Sequence, residues 1–128
     1  MRLLLDTHAL LWWLAGDARL TSGAREAIAD LRHEVFVSAA SAWEVSTKHR
    51  LGKLPGAGPL VVDFPREVLR QGFVPLPVTL GHGQLAGSLE WAHRDPFDRM
   101  LVAQAREERL ALVSNEASFD GLGIVRVW

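Results

Sequence analysis

The chain has 128 residues, of which 48% are hydrophobic, with a formal net charge of −1 and no cysteine. That length and composition suit one folded domain with its own core and exclude a disordered chain. The missing cysteines exclude a disulfide framework and thiolate metal sites, and the balanced charge excludes nucleic-acid binding through net positive charge alone. The longest apolar stretch, around Ala9 to Ala15, is too short to span a bilayer, and Asp6 interrupts any signal-peptide pattern at once. A cytoplasmic protein with no membrane segment is expected.

Leu3, Leu4 and Leu5 predict a buried, parallel strand, and a helix follows over Ala9 to Ala15. Asp6 stands where strand gives way to helix. It suits two roles there: a helix N-cap, or a ligand holder beyond a strand's carboxyl end. A helix is predicted over Ser22 to Leu31, a strand over Glu34 to Ser38, and a helix over Ala39 to Leu51 ended by Gly52. Lys53 to Pro59 reads as a turn, because Pro55, Gly56, Gly58 and Pro59 crowd together. A helix over Leu60 to Gln71 is perturbed near Pro65, a short strand covers Phe73 to Leu76, and Leu80 to Trp91 is weakly helical. Asp95-Pro96 opens a helix that runs to Arg109, since proline is favoured at the first helical position. Leu110 to Ser114 is a strand, Asn115 to Phe119 a turn or short helix, and Ile124 to Val127 a last strand. Strands alternating with helices predict one α/β domain over 1–128, with a parallel sheet and helices on both faces.

Acids recur where strands end. The first strand ends at Asp6; the second ends at Ser38, with Glu44 on the helix that follows; the fourth ends at Ser114, with Glu116 just beyond. Parallel strands bring these ends to one edge of the sheet. Asp95 and Asp98 can join them, because residues three apart share a helix face. Each acid also has an ordinary structural role. Asp95 before Pro96 is an N-cap, and Asp98 suits the dipole of the same helix. Yet Val102 and Ala105 share the Asp98 stripe, and an inward-leaning carboxylate needs a partner. Glu44 can pair with Lys48 at i+4, although Ala40, Thr47 and Leu51 on its side suggest a partly buried face. Glu116 alone reads as a loop residue. Lys48, Arg50 and Lys53 with His49, and Arg94 and Arg99 beside His93, read as solvated helix faces. The five tryptophans read mostly as core, with one of the adjacent pair Trp12 and Trp13 a candidate for facing a partner.

Clustered carboxylates repel one another, and a hard cation such as Mg²⁺ or Mn²⁺ turns that repulsion into binding. Mg²⁺ takes oxygen ligands at about 2.0–2.1 Å and keeps several waters, so a few acids suffice. No HExxH arrangement among the five histidines offers a competing zinc site. The chemistry natural to such a site is metal-assisted attack of water on a phosphodiester.

Four segments resemble the PIN-domain proteins of the VapC toxin type, in the family's order. They are Leu4-Leu5-Asp6-Thr7-His8, Ser38-Ala39-Ala40-Ser41-Ala42-Trp43-Glu44, His93-Arg94-Asp95-Pro96-Phe97-Asp98-Arg99-Met100-Leu101 and Leu112-Val113-Ser114-Asn115-Glu116. The resemblance implies a three-layer PIN-like α/β fold whose parallel five-stranded sheet is flanked by helices. It implies that Asp6, Glu44 and Asp98 are metal-binding catalytic acids, with Asp95 assisting. Glu116 takes a place the family usually gives to aspartate. Thr7, Ser38 and Ser114 correspond to hydroxyl residues that orient the acids. The same resemblance implies Mg²⁺- or Mn²⁺-dependent endoribonuclease cleavage of RNA, a homodimer, and silencing by a cognate antitoxin that inserts a segment into the acidic groove. A haloacid-dehalogenase-like phosphotransferase would need a second aspartate where His8 stands. A receiver domain would need an acidic pair before Asp6 and a late lysine, whereas the last lysine is Lys53. The alternative from a different class is a catalytically silent PIN-like binding module for RNA or protein.

Overall fold

The computed structural model describes residues 1–54 and 57–128. Strand β1 (Arg2–Leu5) runs into helix α1 (Thr7–Ala15), and α2 (Ser22–Ala29) precedes β2 (Glu34–Ser38). Helices α3 (Ala39–Arg50), α4 (Pro59–Val62) and α5 (Phe64–Arg70) lead to β3 (Val74–Leu76). Helices α6 (Leu80–Ser88) and α7 (Pro96–Glu107) follow, then β4 (Ala111–Val113), a 3-10 turn at Ala117–Phe119 and β5 (Arg126–Val127). The expected parallel sheet is present, in the order β3-β2-β1-β4-β5. From central β1 the chain builds one way through β2 and β3, then returns to add β4 and β5 on the other side. The connections leaving β1 and β4 therefore diverge at the carboxyl edge, which is where such sheets open a binding crevice.

Alternation along β1 separates two cores. Leu3 and Leu5 join Val35, Val37 and Val113 beneath α1 to α5, while Leu4 joins Phe36, Leu76 and Leu112 beneath α6 and α7. Both faces of the middle strands are covered, so these segments read as unbroken apolar runs, as buried parallel strands do.

The differences from the sequence reading have local causes. Helix α1 begins at Thr7 rather than Ala9, because the Asp6 side chain accepts the Ala9 N–H at 2.7 Å and starts the first turn. The helix expected over 60–71 is two helices broken at Asp63 (φ −156°, ψ 90°). A continuous helix would set the Pro65 ring against the carbonyl of Val61; instead Asp63 caps a fresh start by accepting from Arg66 N–H. The last residues expected in α7 form its end, where Arg109 takes the left-handed turn (φ 55°) that glycine commonly supplies. Of the predicted turn over 53–59, Pro55 and Gly56 lie outside the described residues, and Pro59 opens α4. None of the five tryptophans is fully buried: four are partly covered and Trp43 is 64% exposed. Trp12 and Trp13 are both partly covered, one against the Trp128 edge and the other against Phe73. Neither is the exposed tryptophan. No helix among the described residues is long and apolar enough to cross a membrane.

Candidate active site

Asp6, Glu44, Asp95, Asp98 and Glu116 line one cavity of ≈ 90 Å³ at the carboxyl edge of the sheet, together with Thr7, His8, Lys48 and Phe119. Four separate stretches of chain deliver the five acids, and backbone chemistry fixes each. Asp6 follows β1 and caps α1. Its buried carboxyl is pushed up to about 6, chiefly by loss of water, against the pull of the Ser114 hydroxyl, the Ala9 N–H and His8; Asp98 adds to the rise. Ser114, buried at the end of β4, also accepts the Glu116 N–H at 3.0 Å, so one hydroxyl joins the loops after both central strands.

Glu44 projects from α3, whose start is capped by Ser38 accepting from Ala40 N–H at 3.0 Å. Ser38 thus bonds the helix backbone, one step removed from the acid it was expected to orient. Thr7 holds Glu44 directly: its Oγ1 donates to Oε1 at 2.5 Å and pairs with Ser41 Oγ at 3.0 Å. The other oxygen, Oε2, accepts from the Lys48 ammonium. Leu51, read as sharing the covered face, is 52% exposed, because it lies just past the last turn of α3.

Asp95 spends one oxygen on the backbone, accepting from Phe97 N–H (2.8 Å) and Asp98 N–H (3.2 Å). Its N-cap role and its place in the cavity coexist. Asp98, on the stripe with buried Val102 and Ala105, finds its partner in His93, whose Nε2 lies 2.7 Å from Oδ2. Burial raises the Asp98 carboxyl and Asp95 adds to that, while the bond to His93 opposes it. Glu116 is exposed at the cavity mouth.

The sequence reading misses two contributors. The i,i+4 pair of Glu44 and Lys48 is present as expected, but inside the cavity, while His93, read as part of a solvated face, holds Asp98. Arg99 was placed on the same kind of face, but its guanidinium donates to the carbonyls of Ala86 (2.9 Å), Leu89 (2.7 Å), Trp91 (2.7 Å) and His93 (3.0 Å). Only the i+4 spacing of Glu44 and Lys48 hinted at any of this.

The donor set is oxygen throughout and suits a hard cation. In this cavity no three acids bring ligating atoms within 4.8 Å of one another; among the described residues that spacing is met by His82, Glu107 and Glu108. Such openness fits an ion that keeps several waters better than one caged by protein alone. The His82 group fits a metal poorly. His82 Nδ1 accepts from Thr79 N–H at 3.0 Å, which leaves the proton on Nε2 to face Glu108 Oε1 at 2.9 Å. A metal there would have to displace that proton, whereas ligating histidines normally donate from the other nitrogen.

The chain matches the PIN domain family over residues 3–124 and belongs to that family. Over 69 residues it is 41% identical to Ribonuclease VapC16 of Mycobacterium tuberculosis (strain ATCC 25618 / H37Rv), which covers 54% of this chain and about half (48%) of that protein's length. Three solved structures share the fold. VapBC2 from Rickettsia felis, bound to a DNA fragment from their promoter, has a TM-score of 0.68 at 14% identity, covering 98% of this chain and 97% of that one. A toxin-antitoxin complex from Klebsiella pneumoniae has a TM-score of 0.66 at 20% identity, covering 95% and 94%. FitAcB from Neisseria gonorrhoeae has a TM-score of 0.57 at 17% identity, covering 97% and 95%.

Proposed function

We propose that this PIN-domain protein is a divalent-metal-dependent endoribonuclease, the toxin of a type II toxin–antitoxin pair, acting in the cytoplasm from a single domain over 1–128. The observation that carries this reading is the convergence of five acids from four stretches of chain on one small cavity at the sheet's switch point. The volume, ≈ 90 Å³, is small beside the roughly 300 Å³ or more of organic-ligand pockets. It suits an ion, its waters and one phosphate group. The similarity to Ribonuclease VapC16 supports RNA as substrate, and the fold shared with a toxin-antitoxin complex supports a protein inhibitor.

In this reading Asp6 and Asp98 would hold Mg²⁺ or Mn²⁺, with Glu44, Asp95 and Glu116 around them. When bound, the cation supplies a water of lowered pKa and offsets charge on the phosphoryl oxygens. The chain supplies position. Ser114 orients Asp6, Thr7 orients Glu44, Ser38 fixes the start of the helix that carries Glu44, and His93 orients Asp98. An apolar pocket of ≈ 370 Å³ adjoins the acids, with Trp43, Phe97 and Met100 in its wall, and offers an antitoxin segment a seat beside the groove. A homodimer belongs to the same proposal.

The test is cleavage of RNA by the purified protein. Activity is expected with Mg²⁺ or Mn²⁺ and none in EDTA, leaving 5′-phosphate and 3′-hydroxyl ends. Asp6→Asn, nearly isosteric but uncharged, is expected to lose at least about a hundredfold in rate while keeping its fold by circular dichroism, and to relieve growth arrest on expression in a bacterium. Cyclic 2′,3′-phosphate ends, or full activity in EDTA, would overturn the mechanism. RNA binding without any cleavage would favour the silent module.

A further inference from the structure

We infer that the Lys48 ammonium is a tethered occupant of the acidic cavity, in competition with the divalent cation, and that loading the metal requires Lys48 to release Glu44. The inference rests on the metal-site reading above. It starts from Glu44, which has no free oxygen: Thr7 donates to Oε1 and Lys48 to Oε2. A cation that draws on Oε2 meets the ammonium already bound there, and one that draws on Oε1 meets the Thr7 bond. Thr7 is buried and also tied to Ser41, whereas a third of the Lys48 side chain is exposed (33%). Lys48 is therefore the partner that can leave.

Helix spacing alone would make Glu44 and Lys48 an ordinary i,i+4 surface pair with little effect. The surroundings differ from that case. Glu44 is buried, and Lys48 is itself a wall of the cavity that Asp6, Asp95, Asp98 and Glu116 line. Its ammonium also lies 6.0 Å from the Phe97 ring centroid, on the turn between Asp95 and Asp98. The ≈ 90 Å³ of the cavity lies beside the ammonium, so an ion seated there meets its positive charge at close range. Without metal, Lys48 supplies the positive charge that keeps buried acids from facing one another unpaired. With metal, the same charge repels the incoming ion. The freed ammonium swings outward on its flexible stem, where the last turn of α3 also carries His49 and Arg50.

The experiment is Mn²⁺ titration of the full chain by calorimetry, for wild type, Lys48→Met, Lys48→Gln and Arg50→Met. The last makes the same charge change on the same helix but outside the cavity. Melting temperatures are recorded in EDTA and in saturating Mn²⁺. Both Lys48 variants are expected to bind Mn²⁺ about fivefold or more tightly, within the usual range of coupling between competing ligands, and Arg50→Met within about twofold of wild type. In EDTA the Lys48 variants should melt lower than wild type, and Mn²⁺ should raise their melting temperature by more than it raises that of wild type. Unchanged or weaker Mn²⁺ binding in both Lys48 variants, or equal tightening in Arg50→Met, overturns the inference and leaves the metal site standing. No Mn²⁺ binding by wild type or by either Lys48 variant overturns the metal-site reading and this inference with it.

Discussion

The Asp6 carboxyl accepts the Ala9 N–H at 2.7 Å, sits buried beside Ser114, and is pushed up to about 6 from an ordinary value of 3.8. Between those two values the native protein holds a proton that the unfolded chain has released, so stability falls as pH rises through the window. Asp98, raised for the same reason, acts with the same sign. Asp17 and Asp120, held low by Arg19 and Arg126, act the other way, but only below the ordinary carboxyl range. The metal-free protein should therefore gain stability as pH falls from 7 to 5, with Asp6 contributing on the order of 1 kcal/mol over that range. Asp6→Asn should melt higher than wild type at pH 7 in EDTA and show a flatter pH dependence. A divalent cation, which favours ionised carboxylates, should reduce or reverse the wild-type slope. Thermal unfolding at pH 5, 6 and 7 with and without metal checks this, and equal slopes in wild type and variant would refute it.

At the scale of elements, the segment from the end of α6 to the start of α7 has no regular structure of its own, and Arg99 organises it. Four short bonds from one guanidinium reach carbonyls between Ala86 and His93, and the His93 ring stacks on Trp91 at 4.6 Å before meeting Asp98. A lysine cannot reproduce that fork of donors. Arg99→Lys should cost about 2 kcal/mol, from carbonyls left without a donor. Cleavage should fall more than stability alone accounts for, because His93 then holds Asp98 less firmly. Denaturant unfolding beside the cleavage rate, the rate taken below the onset of unfolding, separates the two effects. A stable variant with wild-type cleavage would show that the segment positions itself without Arg99.

At the scale of the whole molecule, a net charge of −1 means the protein as a body does not attract RNA. Basic side chains are local: Lys48, His49 and Arg50 in the last turn of α3, a short way from the acids. Binding of RNA by Asp6→Asn in EDTA should therefore be weak. It should lose less than about tenfold between 50 and 200 mM salt, since only a few phosphates are neutralised. Fluorescence anisotropy with a labelled single strand measures both quantities. A loss of a thousandfold over that range would reveal an extended basic surface and contradict this picture.

The sequence alone was enough to place Asp6, Glu44, Asp95, Asp98 and Glu116 near one edge of a parallel sheet, because each sits at a boundary marked by local chemistry. Apolar runs stop at Asp6, Ser38 and Ser114, and Asp95-Pro96 announces a helix start. Those signals act within a few residues, so they survive without knowledge of the fold. The expected cap on α7 and the expected sheet are both present for that reason. Partnerships across the chain were not legible. That His93 faces Asp98, that Lys48 turns into the cavity, and that Arg99 lies among carbonyls instead of in water all depend on which faces α3, α6 and α7 bury. Trp43, expected in the core, is exposed for a related reason: its helix buries Val45 and Glu44 instead. Residue periodicity states that a helix has an apolar side; only packing against a particular sheet face decides which polar groups are carried inside with it, and which charge waits there to meet them.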